Sequence, residues 1–359
     1  MERLTIAGMN SRFPAVFHAL PFYLVRGLLL VMLSAQPMAV IAATPPSPHA
    51  IELPAWFRET FLDFREDVRD AAQEGRRLLL YFGQDGCPYC RELMRVNFGD
   101  KALADKTRRH FSAVAVNIWG DREITWTDGR VMSEKAFAAL LKVQFTPTLL
   151  FFDEKGGVVL RINGYYPPHR FHAALDYVAG KHESRITFAE FLKNHAREPA
   201  SGKLHDQPFF LKPPLDLDRS RRPGTRPLAV LFEQKQCAAC DELHQRGFAN
   251  RDARALIGKF DVARLELFGS ERLVTPQGKT LTAEQWGREL RIAYTPTLVF
   301  FDSKGAEAFR VEAYLRPFHL ASVLDYVASG AYRNEPSFQR YIQGRAEKIR
   351  AAGGKVDLW

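Results

Sequence analysis

Residues 81 to 93 read YFGQDGCPYCREL, which places Cys87 and Cys90 two residues apart between an apolar run and a segment with helical spacing. A short apolar run of this kind predicts a buried β-strand. A C-x-x-C pair by itself is consistent with redox chemistry, a metal site or a structural disulfide. The sequence around the pair has to distinguish these three possibilities.

The strongest pattern outside this stretch is an internal duplication. TPTLLFFDEKG at 146–156 returns as TPTLVFFDSKG at 295–305, and an LDYVA motif also recurs, both at an offset of 149 residues. A second cysteine pair, Cys237 and Cys240, follows the first at an offset of 150 residues. Landmarks in the same order at a nearly constant offset indicate two copies of one domain.

The predicted organisation follows from this duplication and from the composition of the connecting segments. Each copy has about the length of an ordinary domain. The predicted segments are a signal peptide at 1–43, a first domain at 51–195, a linker at 196–226, a second domain at 227–343 and a basic tail at 344–359.

The N-terminal 43 residues resemble a secretory leader. Arg3, Arg12 and Arg26 are followed by the apolar stretch GLLLVML, and VIAA at 40–43 offers the small residues of a cleavage site. The alternative is a membrane anchor, but the uncharged stretch is only about 17 residues long, which is short for a membrane span. We therefore expect a periplasmic or secreted protein.

The net charge of +9 falls to +7 without the leader, because the leader carries one acidic residue and three arginines. Much of the remaining positive charge lies in the predicted linker and tail, which we interpret as solvated. A weak role for them in docking to an anionic membrane surface is the alternative. No nucleic-acid-binding motif is evident, so no nucleic-acid partner is expected.

Each copy has the same order of predicted elements. An apolar strand precedes the cysteine pair and an amphipathic helix, and a charged helix, a second strand and a further helix follow. The TPT segment then begins a pair of strands joined by a Lys-Gly turn, and a last helix ends in LDYVA. The predicted fold is therefore α/β, with a central mixed sheet flanked by helices in each copy.

The position of Cys87 at a helix start has a chemical consequence. The unpaired N–H groups and the positive end of the helix dipole stabilise a thiolate there. Cys90, one turn later, lies on the same face and is placed to attack a mixed disulfide formed by Cys87. Pro88 suits the first helical turn, where its missing N–H costs nothing.

A Thr-Pro dipeptide stands directly before the core strand in each copy. Pro147 follows Cys90 by 57 residues, and Pro296 follows Cys240 by 56. Because proline interrupts strand pairing, its recurrence suggests a fixed geometry, which we expect to be a cis peptide bond. Such a loop would offer the backbone of Thr146 or Thr295 to an extended peptide.

These motifs together resemble the thioredoxin family over nearly all of 51–195 and 227–343. YFGQDGCPYC, FTPTLLFFDEKG and GYYPPHRF look more narrowly like the secreted thioredoxin-related proteins of the SoxW type, here in tandem. The resemblance implies thiol-disulfide exchange outside the cytoplasm, without a cofactor. It also implies roles for particular residues: Cys87 and Cys237 attack, Cys90 and Cys240 resolve, and Pro147 and Pro296 are the cis prolines of the substrate loops.

The chain departs from the family at the proton acceptor for the resolving cysteine. Thioredoxin has a buried aspartate six residues before the first cysteine, whereas Tyr81 and Leu231 stand at that position here. Asp85 and, in the second copy, Glu233 are candidate acceptors. The alternative is that each is a solvated acid in a loop.

Metal and haem sites are less consistent with the spacing. The two pairs are 146 residues apart, instead of the short spacer of a zinc site, and Cys240 with His244 adds only one further ligand. Haem attachment needs a histidine directly after the second cysteine, which neither pair has. We also expect His169, Arg170 and His319, near the start of the last helix of each copy, to be exposed.

The predicted function is reduction of disulfides in client proteins, with electrons from a membrane donor, since compartments outside the cytoplasm are kept oxidising. Two alternatives stay open. One is a peptide- or partner-binding module whose disulfides are structural, which applies most to the second copy. The other is a net disulfide oxidase or isomerase.

Overall fold

The structure is a computed structural model that describes residues 50–195 and 199–357. The predicted signal peptide at 1–43 lies outside the described residues. The predicted domain boundaries stay predictions.

The first domain contains six helices and six strands between residues 64 and 195. In chain order they are α1 Phe64–Gln73, β1 Arg77–Gly83, α2 Pro88–Glu92, α3 Lys101–His110, β2 Phe111–Asn117, β3 Glu123–Thr125, β4 Val131–Ser133, α4 Glu134–Leu140, β5 Thr148–Phe152, β6 Val158–Asn163, α5 Pro168–Ala179 and α6 Phe188–His195.

The first sheet has the strand order β2-β1-β5-β6. β1 runs parallel to β2 and antiparallel to β5, and β5 and β6 form an antiparallel hairpin. β3 and β4 form a separate short hairpin in the polar region between β2 and α4, which the sequence analysis did not predict. The predicted mixed sheet with flanking helices is confirmed.

The second domain repeats this architecture from residue 228 onward. Its elements are β7 Leu228–Glu233, α7 Ala238–Glu242, α8 Arg251–Ile257, β8 Asp261–Glu266, β9 Arg272–Val274, β10 Thr280–Thr282, α9 Ala283–Glu289, β11 Thr297–Phe301, β12 Glu307–Val311, α10 Pro317–Ala328 and α11 Phe338–Ala351. The strand order β12-β11-β7-β8 has the same pairing directions as the first sheet.

Both faces of each sheet are covered, which explains why the central strands are apolar along most of their length. In β1, Leu79 and Tyr81 face the cluster that contains the cysteine pair, whereas Leu78, Leu80 and Phe82 face the cluster under α1 and α4. Successive side chains of a strand point to opposite faces. A shift of the register by one residue would therefore move each of these side chains into the opposite cluster.

From residue 199 to β7 there is no counterpart of α1, but this segment is not detached from the second sheet. Phe210 bridges to Val262 in β8, as Arg58 does to Val114 in the first domain. Leu215 and Leu217 are buried in the cluster on one face of the second sheet. Part of the predicted linker therefore packs against the second domain.

The C-terminal segment also differs from the expectation of a solvated tail. Helix α11 continues to Ala351, and Ala346 is buried on its inner face. Among the described helices, none has both the length and the hydrophobicity needed to cross a membrane.

Candidate active site

The first cysteine pair lies at the junction of β1 and α2. Cys87 is the N-cap of α2, and the backbone N–H of Cys90 donates to Cys87 Sγ at 3.0 Å. The two residues form a disulfide with a Cα–Cα distance of 5.2 Å. Gly86 has φ +72°, a left-handed conformation that favours glycine.

The second pair has the same local geometry. Cys237 is the N-cap of α7, its Sγ accepts from the N–H of Cys240 at 3.1 Å, and the two residues form a disulfide. In both domains a π-helical turn, Leu93–Asn97 or Leu243–Gly247, continues directly from the short helix. The sequence pattern did not distinguish these turns from ordinary helix.

The Thr-Pro loops lie beside the cysteines. The Thr146–Pro147 and Thr295–Pro296 peptide bonds are both cis, so that prediction is confirmed. Thr146 O lies 3.4 Å from Cys87 Sγ, and Thr295 O lies 3.5 Å from Cys237 Sγ. The structure therefore brings together all eight residues that the sequence singled out, in two groups of four, although their chemical roles stay predictions.

The two candidate proton acceptors lie in different environments. Asp85 is exposed, as expected of a solvated loop acid. Glu233 is buried at the end of β7, so the solvated interpretation is wrong for that residue. Its Oε1 accepts from His244 Nε2 at 2.9 Å, and its Oε2 has no hydrogen-bond partner among the described residues.

The first domain fills the corresponding space differently. Gly83 stands where the second domain has Glu233, and a side chain there would collide with the hydroxyl of Tyr81. That hydroxyl is buried and unpartnered within the described residues. Burial, together with the charge of Asp85, raises the pKa of Tyr81, so the phenol stays protonated.

Residues of the second domain cover the first cysteine pair. A groove of about 320 Å³ lies over Cys87, and both domains line it. We call it the interdomain groove; its lining includes Cys87, Tyr89, Thr146, His319, Gln343 and Ala346. The exposure of Cys87 is 4%, and Cys90 has none, so the groove is the approach to this pair.

Residues of the first domain contact the loop beside the second pair in turn. Arg170 Nη1 donates to Thr295 O at 3.1 Å, and its guanidinium lies 4.5 Å from the centre of the Tyr294 ring. The ring of Tyr166 packs against that of Tyr294 at a tilt of 30°, with a centroid distance of 4.4 Å. Cys237 has an exposed fraction of 0%, compared with 2% for Cys240.

The expectation of an exposed side chain is confirmed for His169 but is wrong for Arg170 and His319. Arg170 is 5% exposed because it lies on the Thr-Pro loop of the other domain, and His319 packs against Tyr89 with a ring-centroid distance of 5.0 Å. The two residues are equivalent in the repeat, 149 positions apart. The sequence shows that the two residues occupy equivalent positions in the repeat, but it does not show their contacts across the domain boundary.

Within the described residues, no group of three or more His, Cys, Asp or Glu side chains is arranged to hold a metal ion. His244, the extra ligand considered for Cys240, bonds to Glu233 instead. The arrangement in each domain, a cysteine at a helix start beside a cis Thr-Pro carbonyl, suits thiol-disulfide exchange.

Parts of the chain are similar to solved structures of two bacterial proteins. A thioredoxin-fold protein from Helicobacter pylori is 28% identical, over 37% of this chain and 89% of that chain, with a TM-score of 0.29. A thioredoxin from Thermus thermophilus is 24% identical, over 33% of this chain and 85% of that chain, with a TM-score of 0.27. No curated protein matches the chain.

The family comparison covers more of the chain than either structure. The thioredoxin-like domain family matches twice, at residues 64–179 and 214–328, which together are more than half of the chain. Each match contains one C-x-x-C pair and one cis Thr-Pro loop. The chain therefore belongs to the thioredoxin-like domain family, with two such domains in tandem.

Proposed function

We propose that the protein is a thiol-disulfide oxidoreductase that reduces disulfides of client proteins outside the cytoplasm, with Cys87 as the nucleophile and Cys90 as the resolving cysteine. The observation that carries the proposal is the position of Cys87 Sγ, 3.0 Å from the Cys90 N–H and 3.4 Å from the Thr146 carbonyl, below the groove. The leader-like N-terminus supports the compartment, and the SoxW-type resemblance supports the finer assignment.

The reaction proceeds by two exchange steps. The Cys87 thiolate attacks one sulfur of the client disulfide, the client S–S bond breaks, and the second client sulfur leaves with the electron pair and takes up a proton. Cys90 then attacks Cys87 Sγ, which releases the first client thiol and leaves the Cys87–Cys90 disulfide. A membrane donor supplies two electrons and two protons to reduce it again.

Trapping the mixed disulfide tests this function directly. Cys90→Ser removes the resolving thiol, so client proteins should accumulate in a covalent complex with Cys87 that is visible on non-reducing gels. The matched control is the double variant Cys87→Ser, Cys90→Ser, which should trap nothing. If Cys90→Ser captures no more than this control in the parent cell, the proposal is wrong. A redox titration of each pair then tests the direction, and a Cys87–Cys90 potential more oxidising than that of its clients would exclude a reductase.

A second function is favoured for the second pair by its burial. Cys237 is inaccessible, and Arg170 occupies the Thr295 carbonyl that a client backbone would use. We infer that the Cys237–Cys240 disulfide supports the domain that covers Cys87 and does not meet clients. The double variant Cys237→Ser, Cys240→Ser should then keep exchange at Cys87 while losing stability, whereas loss of exchange in a folded protein would indicate a relay between the pairs.

A further inference from the structure

The interdomain groove has one wall from each domain. On the first-domain side are Cys87 and the Thr146 loop. On the second-domain side are residues 313–315, His319 and helix α11, which line the groove opposite. A substrate that reaches Cys87 must therefore enter between two walls, not approach an open surface.

Hydrogen bonds hold the α11 wall in place. Gln339 Nε2 donates to the backbone carbonyl of Gln144 at 2.8 Å, and Gln84 Nε2 donates to Gln339 Oε1 at 2.7 Å. The backbone N–H of Phe338 donates to Gln144 Oε1 at 2.9 Å. Since Gln144 immediately precedes Phe145 and Thr146, α11 is attached to the loop that contacts Cys87.

The size of the groove limits what can enter. Its volume of about 320 Å³ is at the lower end of the range for small-ligand sites. A folded protein presents a disulfide on a convex surface, which the two walls would keep away from Cys87. A single extended strand is narrower, since neighbouring strands in a sheet lie only about 4.8 Å apart.

The second-domain wall of the groove carries a polar side chain, that of His319. His319 Nδ1 is buried and has no hydrogen-bond partner among the described residues. Burial, assisted by the nearby charge of Arg316, lowers the pKa of His319 to about 4, so the imidazole is neutral at neutral pH. A neutral imidazole has one donor and one acceptor nitrogen and suits a peptide group.

We propose that the interdomain groove is the substrate site of the Cys87–Cys90 pair and selects disulfides carried on a single extended peptide strand, with His319 contributing a hydrogen bond to the bound strand. This inference rests on the proposed function and adds the substrate class to it. It makes the active site of the first domain a composite of both domains.

The test compares the rates at which Cys87 attacks the same activated cysteine in a short peptide and in a folded protein. A hexapeptide with an activated cysteine, in mixed disulfide with thionitrobenzoate, is the narrow probe. The wide probe is a folded carrier protein that has the same six residues in a surface loop, with the cysteine activated in the same way. Cys87 attacks the peptide sulfur, the bond to thionitrobenzoate breaks, and the leaving thiolate carries away the electron pair and is measured by absorbance. The protein is the full chain with Cys90→Ser and its Cys237–Cys240 disulfide intact.

We expect the narrow probe to react at least tenfold faster than the wide one. Gln343→Trp, which adds bulk to the groove wall, should slow the narrow probe about tenfold. Lys348→Trp is the matched control, because Lys348 is exposed on the same helix and does not line the groove. Equal rates for the two probes, or equal effects of the two tryptophans, would overturn the inference while leaving exchange at Cys87 demonstrated. No reaction with either probe would instead contradict the proposed function.

The contribution of His319 has its own readout. His319→Phe keeps a ring against Tyr89 but removes both nitrogens. We expect the half-saturating concentration of the narrow probe to rise about fivefold, with little change in the maximal rate. Iodoacetamide, which is too small to need the groove, should alkylate Cys87 at the unchanged rate. An unchanged half-saturating concentration would exclude His319 as a contact of the substrate.

Discussion

Two equivalent aromatic residues, Phe145 and Tyr294, stand directly before the cis Thr-Pro bonds and pack into the opposite domains. Tyr294 is buried in the cluster that contains Cys87 and Cys90, and Phe145 packs on the core cluster of the second domain. Each Thr-Pro loop is therefore held from both sides. A substitution at either aromatic residue is expected to affect the loop of its own domain and the core of the other.

The buried pair of Glu233 and His244 is a residue-scale difference between the two domains, since Gly83 and Met94 occupy those places in the first. His244→Met leaves a buried carboxylate without its donor, which should lower the free energy of unfolding by about 2 to 4 kcal/mol. The double variant Glu233→Ala, His244→Met should recover part of this loss. Urea denaturation of the single and double variants measures the coupling, and strictly additive effects would show that the contact contributes nothing.

Asp67 gives a prediction about pH. Burial raises the pKa of Asp67 to about 6 from its ordinary value of 3.8, although the hydroxyl of Thr60 donates to it and opposes the shift. A raised pKa in the folded state means that this contribution to stability is complete below about pH 4 and is lost as the pH rises through about 6.

Asp67→Asn should therefore stabilise the protein at pH 8 by about 1 to 2 kcal/mol, allowing for partial solvation, and have little effect at pH 4. The amide oxygen of asparagine can still accept from Thr60. Glu66→Gln, at an exposed position of the same helix, is the control and should not change the slope of stability between pH 4 and 8. The prediction fails if Asp67→Asn keeps the wild-type slope.

At the scale of the elements, helix α11 links the two domains through its first residue. Phe338 is 1% exposed and lies 5.4 Å, between ring centroids, from both Phe309 of the second sheet and Phe145 of the first domain. Phe338→Ala should lower the free energy of unfolding by about 3 to 5 kcal/mol. It should also speed alkylation of Cys87, because the wall of the groove loosens.

Lys348→Ala, on the exposed side of the same helix, should change neither quantity. Guanidinium denaturation and iodoacetamide labelling of the reduced protein provide the two measurements. If Phe338→Ala destabilises the protein without changing the rate at Cys87, the helix supports the second domain only.

The elements were predictable to different degrees, for physical reasons. β1 and β5 are continuous apolar runs because both faces of the sheet are covered, and the Thr-Pro position follows from the exclusion of proline from paired strands. Helix α11 carries a mixed pattern, since part of its buried face meets another domain. Its polar contacts, such as those of Gln339 with Gln84 and Gln144, depend on how the domains pack, which periodicity does not encode.

At the scale of the whole molecule, the two domains cover each other's cysteine pairs unequally. Both belong to one compact unit. Equivalent positions of the repeat supply His319 over Cys87 and Arg170 over Thr295, but only the arginine reaches the loop carbonyl. A duplicated domain has thus become a pair in which Cys87 lines an open groove, whereas Cys237 is inaccessible beside a cavity of about 910 Å³ lined by Gln236, Thr295 and Arg170.

This asymmetry gives a prediction for Arg170. Labelling of Cys237 requires a local opening, and the hydrogen bond from Arg170 to Thr295 O opposes it. A hydrogen bond from a charged donor contributes about 1.5 to 3 kcal/mol, so Arg170→Met should raise the alkylation rate of reduced Cys237 about tenfold or more. The rate at Cys87 should change much less, which mass spectrometry of the labelled peptides resolves. His172→Met, exposed on the same helix, is the control. If Cys237 reacts no faster in Arg170→Met than in that control, the burial of Cys237 is a property of the second domain alone, and the first domain does not protect Cys237 from alkylation.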